Sequence, residues 1–413
     1  MPLLTRIRRE LPPTNGLPLR FNDFTRSPSR SFAQNLHDMF GIHNPIFTCS
    51  ATAAMVVALH VLRQREPSRS EIIIPAYTCP LVPLAVKLVP GLRSILCDTV
   101  PGGIDFDPEK LATLCGSQTL AIVSTHLGGR VADVTTVNAI ASRHGAAVLE
   151  DAAQALGATN GKKRVGLAGD AAFFSLAVGK GLTTYEGGIL CAKDPALHAK
   201  LASAAYNLLR PSLFWSIRRN LELLGYTFFY TPFRLGLVYG RPLRRMLDKG
   251  NEEAAVGDLF TLKDIPLHSL DVFRQRIAAN AVERLPAFLE NAASRAEERL
   301  GIMRGLEGVQ IISDRPDTRG VWPFFMVLMP SLEQRDAALG KLWRAGLGVT
   351  KLFTRTLPDY SFLSCDFEGR RVDYPNAKDM ADRMLTISNT KWLEDSDFAS
   401  IIVVLKENLA KNQ

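Results

Sequence analysis

A lysine set among glycines, a carboxylate closing an apolar run, and hydroxyls at a helix start and a strand end are the residues with chemistry to offer. Lys180 lies in AAFFSLAVGKGLTTYEGGIL, where it is the only charged residue between Ala171 and Tyr185. A lysine amine is protonated at neutral pH and a poor nucleophile; desolvation, or condensation with a carbonyl to a Schiff base, makes it useful. That is the use pyridoxal 5'-phosphate (PLP) makes of a lysine. The cofactor also needs a carboxylate to keep its pyridine nitrogen protonated, and hydroxyls and backbone N–H groups for its phosphate. Asp151 closes AAVLED, 29 residues before Lys180. Gln154 offers a donor for the phenolic oxygen, Ser175 a hydroxyl for the phosphate, and Ala51 and Thr52 the N–H groups of a helix start. Each also has an ordinary reading: a loop lysine facing water, a carboxylate capping the next turn, a Ser-Ala-Thr helix cap.

What must position these residues is a repeating pattern. SATAAMVVALHVLRQR reads as a helix, EIIIP as a buried strand, LVPLAVKLVPGL as a helix despite its prolines, and RSILCD as a strand. Next come helix FDPEKLATLCG, strand TLAIVSTH, helix VTTVNAIASRHG, strand AAVLED and strand DAAFFSL. Strands apolar throughout and alternating with helices predict a mainly parallel sheet covered on both faces, with its ligand at the carboxyl ends of the strands. His126, Asp151 and Ser175 each fall at such an end. Later, VWPFFMVLM (strand), EQRDAALGKLWRAG (helix, closed by Gly346) and SDFASIIVVLKENLAK (helix) read as a smaller α+β domain. The expected division is an irregular arm over 1–35, a large domain over 36–290 and a small C-terminal domain over 291–413.

The bulk numbers agree with a soluble globular chain: 413 residues, 46% hydrophobic and 22% charged. The six cysteines (Cys49, Cys79, Cys97, Cys115, Cys191, Cys365) form no CxxC pairs, which argues against a metal or iron–sulfur site. The N-terminus lacks the apolar core of a secretory signal, and no apolar run approaches the roughly 20 residues of a membrane span. A reducing cytoplasm is the expected location.

The ordered set LEDAAQALGATNGKKRVGLAGDAAFFSLAVGKGLTTYEGG resembles the DegT/DnrJ/EryC1/StrS sugar aminotransferases. IPAYTCP, STHLGGRVADV, RDAALGKLWRAGLGV and YPNAKDMADRMLTIS extend the likeness over about 40–205 and 265–410. The resemblance implies the PLP-dependent transferase fold type I: an α/β domain with a mainly parallel sheet flanked by helices, and a smaller α+β C-terminal domain. It implies that Lys180 bonds covalently to PLP and shuttles the proton, Asp151 pairs with the pyridinium, Gln154 with the ring oxygen, and Ser175 and the Ala51–Thr52 amides with the phosphate. It further implies glutamate as amino donor, a nucleotide-linked keto-sugar as acceptor and a homodimer with sites at the interface. Relatives that replace the lysine by histidine are dehydratases, so retention of Lys180 favours transamination. A sugar dehydratase, and a non-catalytic binding protein on the same fold, are the alternatives.

The chain departs from the family pattern at several places. Ser50-Ala51-Thr52 stands where the family has SGT, and Tyr185-Glu186-Gly187-Gly188 where it has GEGG. An aromatic ring that stacks on the cofactor is usual where Cys79 stands, leaving His126 or Tyr77 to cover the ring. The family's Gly-x-Asn segment is not recognisable, and its histidine after the proline is missing from LFTRTLPDY.

Leu208–Lys249 lies where the family has a shorter connection. It holds eight basic residues (Arg210, Arg218, Arg219, Arg234, Arg241, Arg244, Arg245, Lys249) against two acids (Glu222, Asp248), so it supplies +6 of the chain's +8. Aromatic rings beside arginines suit a membrane interface, and the longest uncharged stretch, Leu223–Phe233, is 11 residues, too short to span. The segment has two readings: peripheral contact with the inner membrane face through 208–249, which would let the enzyme meet a lipid-linked or envelope-bound sugar, or a helical hairpin packed on the dimer. No nucleic-acid recognition motif is present.

Overall fold

The computed structural model describes residues 9–367 and 373–409. Apolar runs long enough for one strand recur through the first half. In chain order the strands here are β1 (Ile46–Thr48), β2 (Glu71–Pro75), β3 (Arg93–Cys97), β4 (Thr119–Thr125), β5 (Ala147–Asp151), the short hairpin β6 (Thr159–Asn160) and β7 (Lys163–Arg164), β8 (Ala171–Ser175) and β9 (Gly188–Ala192). The runs become β2, β3, β4, β5 and β8, joined by strands that are not such runs. Seven of these strands form one sheet in the order β1-β9-β8-β5-β4-β2-β3. Pairing is parallel from β3 to β8, with Val123 opposite Leu149 and Leu149 opposite Ala171, and antiparallel where β9 and β1 close the edge.

The two-residue period of the strands sorts their side chains between two cores. Ile72 and Ile74 pack with the helix Ala51–Arg65, while Ile73, Ile122 and Val148 pack on the other face with Val137 and Ile140 of the helix Val134–His144. Burial on both sides is why these strands read as unbroken apolar runs.

The last third builds a four-stranded antiparallel sheet from β10 (Gln310–Ile311), β12 (Phe324–Leu328), β13 (Val349–Thr350) and β14 (Met384–Ser388), in the order β10-β12-β14-β13; β11 (Thr318–Arg319) instead joins the β6–β7 hairpin. Phe325 and Val327 point to a core shared with the helices Leu332–Leu342 and Asp395–Leu409, whereas Phe324 and Met326 point back toward the large sheet. The helix Leu285–Met303 runs from the larger core to the smaller.

One segment differs from its sequence reading, and a second takes the helical form that one of its two readings carried. The described part of the arm, expected to be irregular, holds regular structure. It contains the helix Phe21–Thr25 and the start of the helix Phe32–Phe40, and its extended stretch is bonded into distant parts of the chain. The Glu10 N–H donates to Pro232 O (2.8 Å), Leu11 to Gly346 O (2.9 Å), Asn15 to Pro323 O (2.8 Å) and Leu17 to Gly181 O (2.9 Å). Backbone pairing of this kind leaves no periodic trace in sequence. The segment after Leu208 is helical: Leu213–Phe229, Pro232–Leu235, a wide turn at Gly236–Gly240 and Arg241–Asp248. Trp215 anchors it by stacking on His268 (ring centroids 5.6 Å apart), and Arg219 by bonding Glu186 at 2.5 Å.

Candidate active site

The carboxyl ends of β4, β5 and β8 open onto a cavity of about 190 Å³. Lys180, Asp151, Gln154, Ser175, Ala51, Thr52, His126 and Cys79 all line it, so the structure brings together every residue singled out in the sequence except Tyr77. Tyr77 is not among its lining residues; it is buried beneath, its hydroxyl bonded to the backbone of Phe353 at 3.2 Å. Of the two candidates to cover a ring, His126 is the one that faces the cavity.

Local structure explains the placement. Ser50 caps the helix Ala51–Arg65, its hydroxyl accepting from the Ala53 N–H (3.0 Å), so Ala51 and Thr52 form a first turn whose N–H groups have no partner within the helix. The Gln154 side-chain oxygen accepts from the Gly128 N–H (2.7 Å), which leaves its NH₂ end as the donor. His126 is held at both nitrogens. Nδ1 accepts from the Ala132 N–H (3.0 Å), so Nε2 carries the proton and donates to Glu150 (3.0 Å). Glu150 is itself buried, and although burial works against its charge, donors from His126, Gly169 and Gly166 hold its carboxyl below the usual range.

Lys180 sits in a loop shaped by the arm. Gly179 has φ +82°, and a Cβ there would lie 2.8 Å from Thr14 Oγ1, so both conformation and space require glycine. The Lys180 amine is enclosed, and burial pulls its pKa below the ordinary value, opposed by Cys79 and Asp151. Burial raises the Asp151 pKa in turn, against the Ala153 N–H and the Lys180 charge. Burial also pushes the Cys79 thiol up to about 12, so it is a neutral wall.

Two further residues escape the sequence reading. Thr78 and Thr125 line the cavity, and their hydroxyls are buried without a hydrogen-bond partner. Thr78 lies within IPAYTCP and Thr125 immediately precedes His126, but nothing in a lone threonine marks it as unpartnered. Orphaned hydroxyls are uncommon in native folds, and both of these belong to residues that line the cavity.

These groups fit PLP by chemistry: a buried amine, a buried carboxylate, a helix start with an adjacent serine, and apolar walls at Leu127, Ala153 and Phe173 for a flat ring. Among the described residues no cluster of His, Cys, Asp and Glu is placed to hold a metal ion.

Comparison with known proteins agrees. Residues 23–210 match the model of the DegT/DnrJ/EryC1/StrS aminotransferase family. The DegT/DnrJ/EryC1/StrS match ends at Arg210, where the basic aromatic segment begins. GDP-perosamine synthase of Caulobacter vibrioides is 35% identical over 170 residues, which is 41% of this chain and 45% of that protein; the chain thus aligns with about half the length of this relative. Among solved structures, that of DesI in the presence of its TDP-sugar product superposes with a TM-score of 0.73 at 18% identity, covering 98% of this chain and 94% of that one. The aminotransferase TlmJ from Streptoalloteichus hindustanus gives 0.70 at 19% identity, covering 92% and 90%. These likenesses establish the fold as the PLP-dependent transferase fold type I.

One departure from the family now has a structural account. Tyr185, where the family has glycine, adopts φ +68°, the left-handed conformation that glycine favours and an aromatic residue rarely enters. Its ring turns into a second, larger cavity that shares only Lys180 and Gln154 with the first.

Proposed function

We propose that this protein is a PLP-dependent aminotransferase that moves an amino group, from glutamate, onto a keto-sugar used in cell-envelope or polysaccharide synthesis. The observation that carries the reading is the enclosure of the Lys180 amine and the Asp151 carboxylate in one cavity, each biasing the charge of the other. A sugar acceptor is supported by DesI, which was crystallised with a TDP-sugar product, and by the name of GDP-perosamine synthase.

When bound, PLP supplies an electron sink that lets a C–H bond next to nitrogen ionise. The chain's own groups would do the rest. Ser175 and the amides of Ala51 and Thr52 would hold the phosphate, the Gln154 NH₂ the ring oxygen, and His126 one face of the ring. Asp151, costly to ionise in its buried site, would regain that cost against a protonated ring nitrogen. Lys180, its amine biased toward the neutral form, would carry the cofactor and then accept and return the proton at its Nζ. Borohydride reduction of the PLP-treated protein followed by peptide mass spectrometry is expected to find the adduct on Lys180. Glutamate is expected to bleach the visible band; a band that no amino donor alters would turn the reading toward dehydration.

The same reading includes a homodimer, testable by sedimentation, and peripheral contact with the inner face of the membrane. Supporting the latter, the helix Leu213–Phe229 is apolar on its outer side: Leu213, Phe214, Ile217, Leu221, Leu224 and Phe228 are 48–77% exposed at helical spacing. Arg218 and Arg234 flank them. Among the described residues no helix is long and apolar enough to cross a membrane. Flotation with anionic liposomes at low salt tests it, and protein that stays in the soluble fraction overturns it.

A further inference from the structure

The larger cavity, about 590 Å³, adjoins the first at Lys180 and Gln154 and falls in the size range of sites for sizeable ligands. Its walls are the arm (Pro12–Asn15), the lysine loop, the helix Leu213–Phe229, the wide turn Gly236–Gly240 and the start of β12. Tyr185, Tyr226, Phe229, Tyr230 and Tyr239 supply aromatic surface, with Leu235, Val238 and Leu289 between them. Only two charged side chains are among its described lining residues, Lys180 and Glu222, and Glu222 is already bonded to Arg218 (3.0 Å) and Arg219 (2.6 Å). A nucleoside diphosphate placed here would bring negative charge into an apolar chamber whose one cation among the described lining residues of this chain is Lys180, which is strongly unfavourable.

Three more observations agree. Tyr185 holds a left-handed backbone while its ring packs edge-on against Tyr226 (centroids 6.4 Å apart), so an aromatic wall is kept where glycine would be easier. Gly225 lines the cavity from mid-helix, and a Cβ built there meets nothing within 4 Å, so the glycine preserves ligand space rather than packing. Val238 lines the cavity and is also 47% exposed, next to exposed Leu237, so the chamber communicates with the apolar outer surface of the same segment.

We infer that the acceptor site is built for a carbonyl sugar that carries an uncharged hydrocarbon chain, a glycolipid-type substrate, with the chain lying in the chamber made by residues 213–240. This rests on Lys180 as the reacting amine, and it narrows the acceptor from keto-sugars in general to those with an apolar tail.

The test uses the full chain treated with PLP and three probes measured by titration calorimetry: n-octyl glucoside below its micelle concentration, phenyl glucoside and UDP-glucose. Octyl glucoside is expected to bind, phenyl glucoside at least about tenfold more weakly because it buries less chain, and UDP-glucose not to saturate. Gly225→Leu is expected to weaken octyl glucoside by at least about tenfold while PLP uptake, read from the visible band, persists. Val238→Trp, a second plug from the 236–240 turn, is expected to act in the same direction. Tighter binding of UDP-glucose than of octyl glucoside, phenyl glucoside equal to octyl, or plugged variants that bind like the parent would each overturn the inference. A parent protein that takes up no PLP at Lys180 defeats the aminotransferase reading instead, and the octyl glucoside titration separates that failure from this one.

Discussion

Two cavities meet at Lys180 and Gln154, and they are made in opposite ways. The smaller is framed by the carboxyl ends of β4, β5 and β8 and by a helix start, and the polar groups at its rim include a capped helix start, Gln154 and His126, each held by a hydrogen bond. The larger is framed by an extended arm, a helical insertion and a wide turn, and it is walled by aromatic rings. On the proposed function the division would separate two tasks. Proton movement at one atom demands groups fixed by strands, whereas choice of acceptor demands volume and polarity, which an insertion alters without touching the strand ends.

The sharpest way to break the comparison is at the shared lysine. Lys180→Ala is expected to lower turnover by at least about 10³-fold and to abolish the borohydride-trapped adduct, since both the attachment point and the proton carrier go. Retained transamination would show that the small cavity is not the reacting one.

Asp151→Asn is expected to cost about 10²-fold or more in turnover, and it separates chemistry from folding. Burial raises the Asp151 pKa in the folded protein, so the ionised carboxylate destabilises the fold above that raised value. The penalty is absent below the ordinary carboxylate value near ~4. Cofactor-free Asp151→Asn is therefore expected to be the more stable protein at pH about 8, with the gap closing as the pH falls toward ~4. Urea unfolding at the two pH values checks the sign. A variant less stable than its parent at the higher pH would make Asp151 a structural carboxylate.

On the other side of the lysine, Tyr185→Gly removes a backbone strain of about 1–3 kcal/mol and a partly buried ring contact worth roughly as much. Its stability is expected to change by less than about 1 kcal/mol, while octyl glucoside binds several-fold more weakly. A loss of several kcal/mol would place the ring in the core rather than in a substrate wall. Smallest of all is the effect expected from Ile217→Ser with Leu221→Ser on the outer face. Unfolding free energy should move by no more than about 0.5 kcal/mol and PLP uptake not at all, but flotation with anionic liposomes should fall. Unchanged flotation would detach the outer stripe from the membrane reading.

The same division governs what the sequence discloses. The small cavity is readable because a parallel strand buried on both faces is an apolar run with a visible end, and the residue at the end is the one presented: Asp151 after AVLE, Ser175 after AAFF. GILCA (β9) and IFT (β1), the antiparallel edge, are too short or too glycine-rich to declare themselves as strands. Thr78 and Thr125 become notable only through partners they lack. The large cavity is assembled from residues 12–15, 178–181, 222–239 and 321–324, which share no local pattern. What betrays it in sequence is indirect: a basic, aromatic stretch where a short connection is expected, and a tyrosine in a glycine's place.

The strap formed by residues 10–17 has a mechanical consequence. It is fastened through Leu11 and Asn15 to the four-stranded sheet's neighbourhood, at Gly346 and Pro323, and through Leu17 to Gly181, one residue from the reactive amine. A shift of the smaller lobe relative to the sheet would therefore be passed along the strap to the loop that carries Lys180.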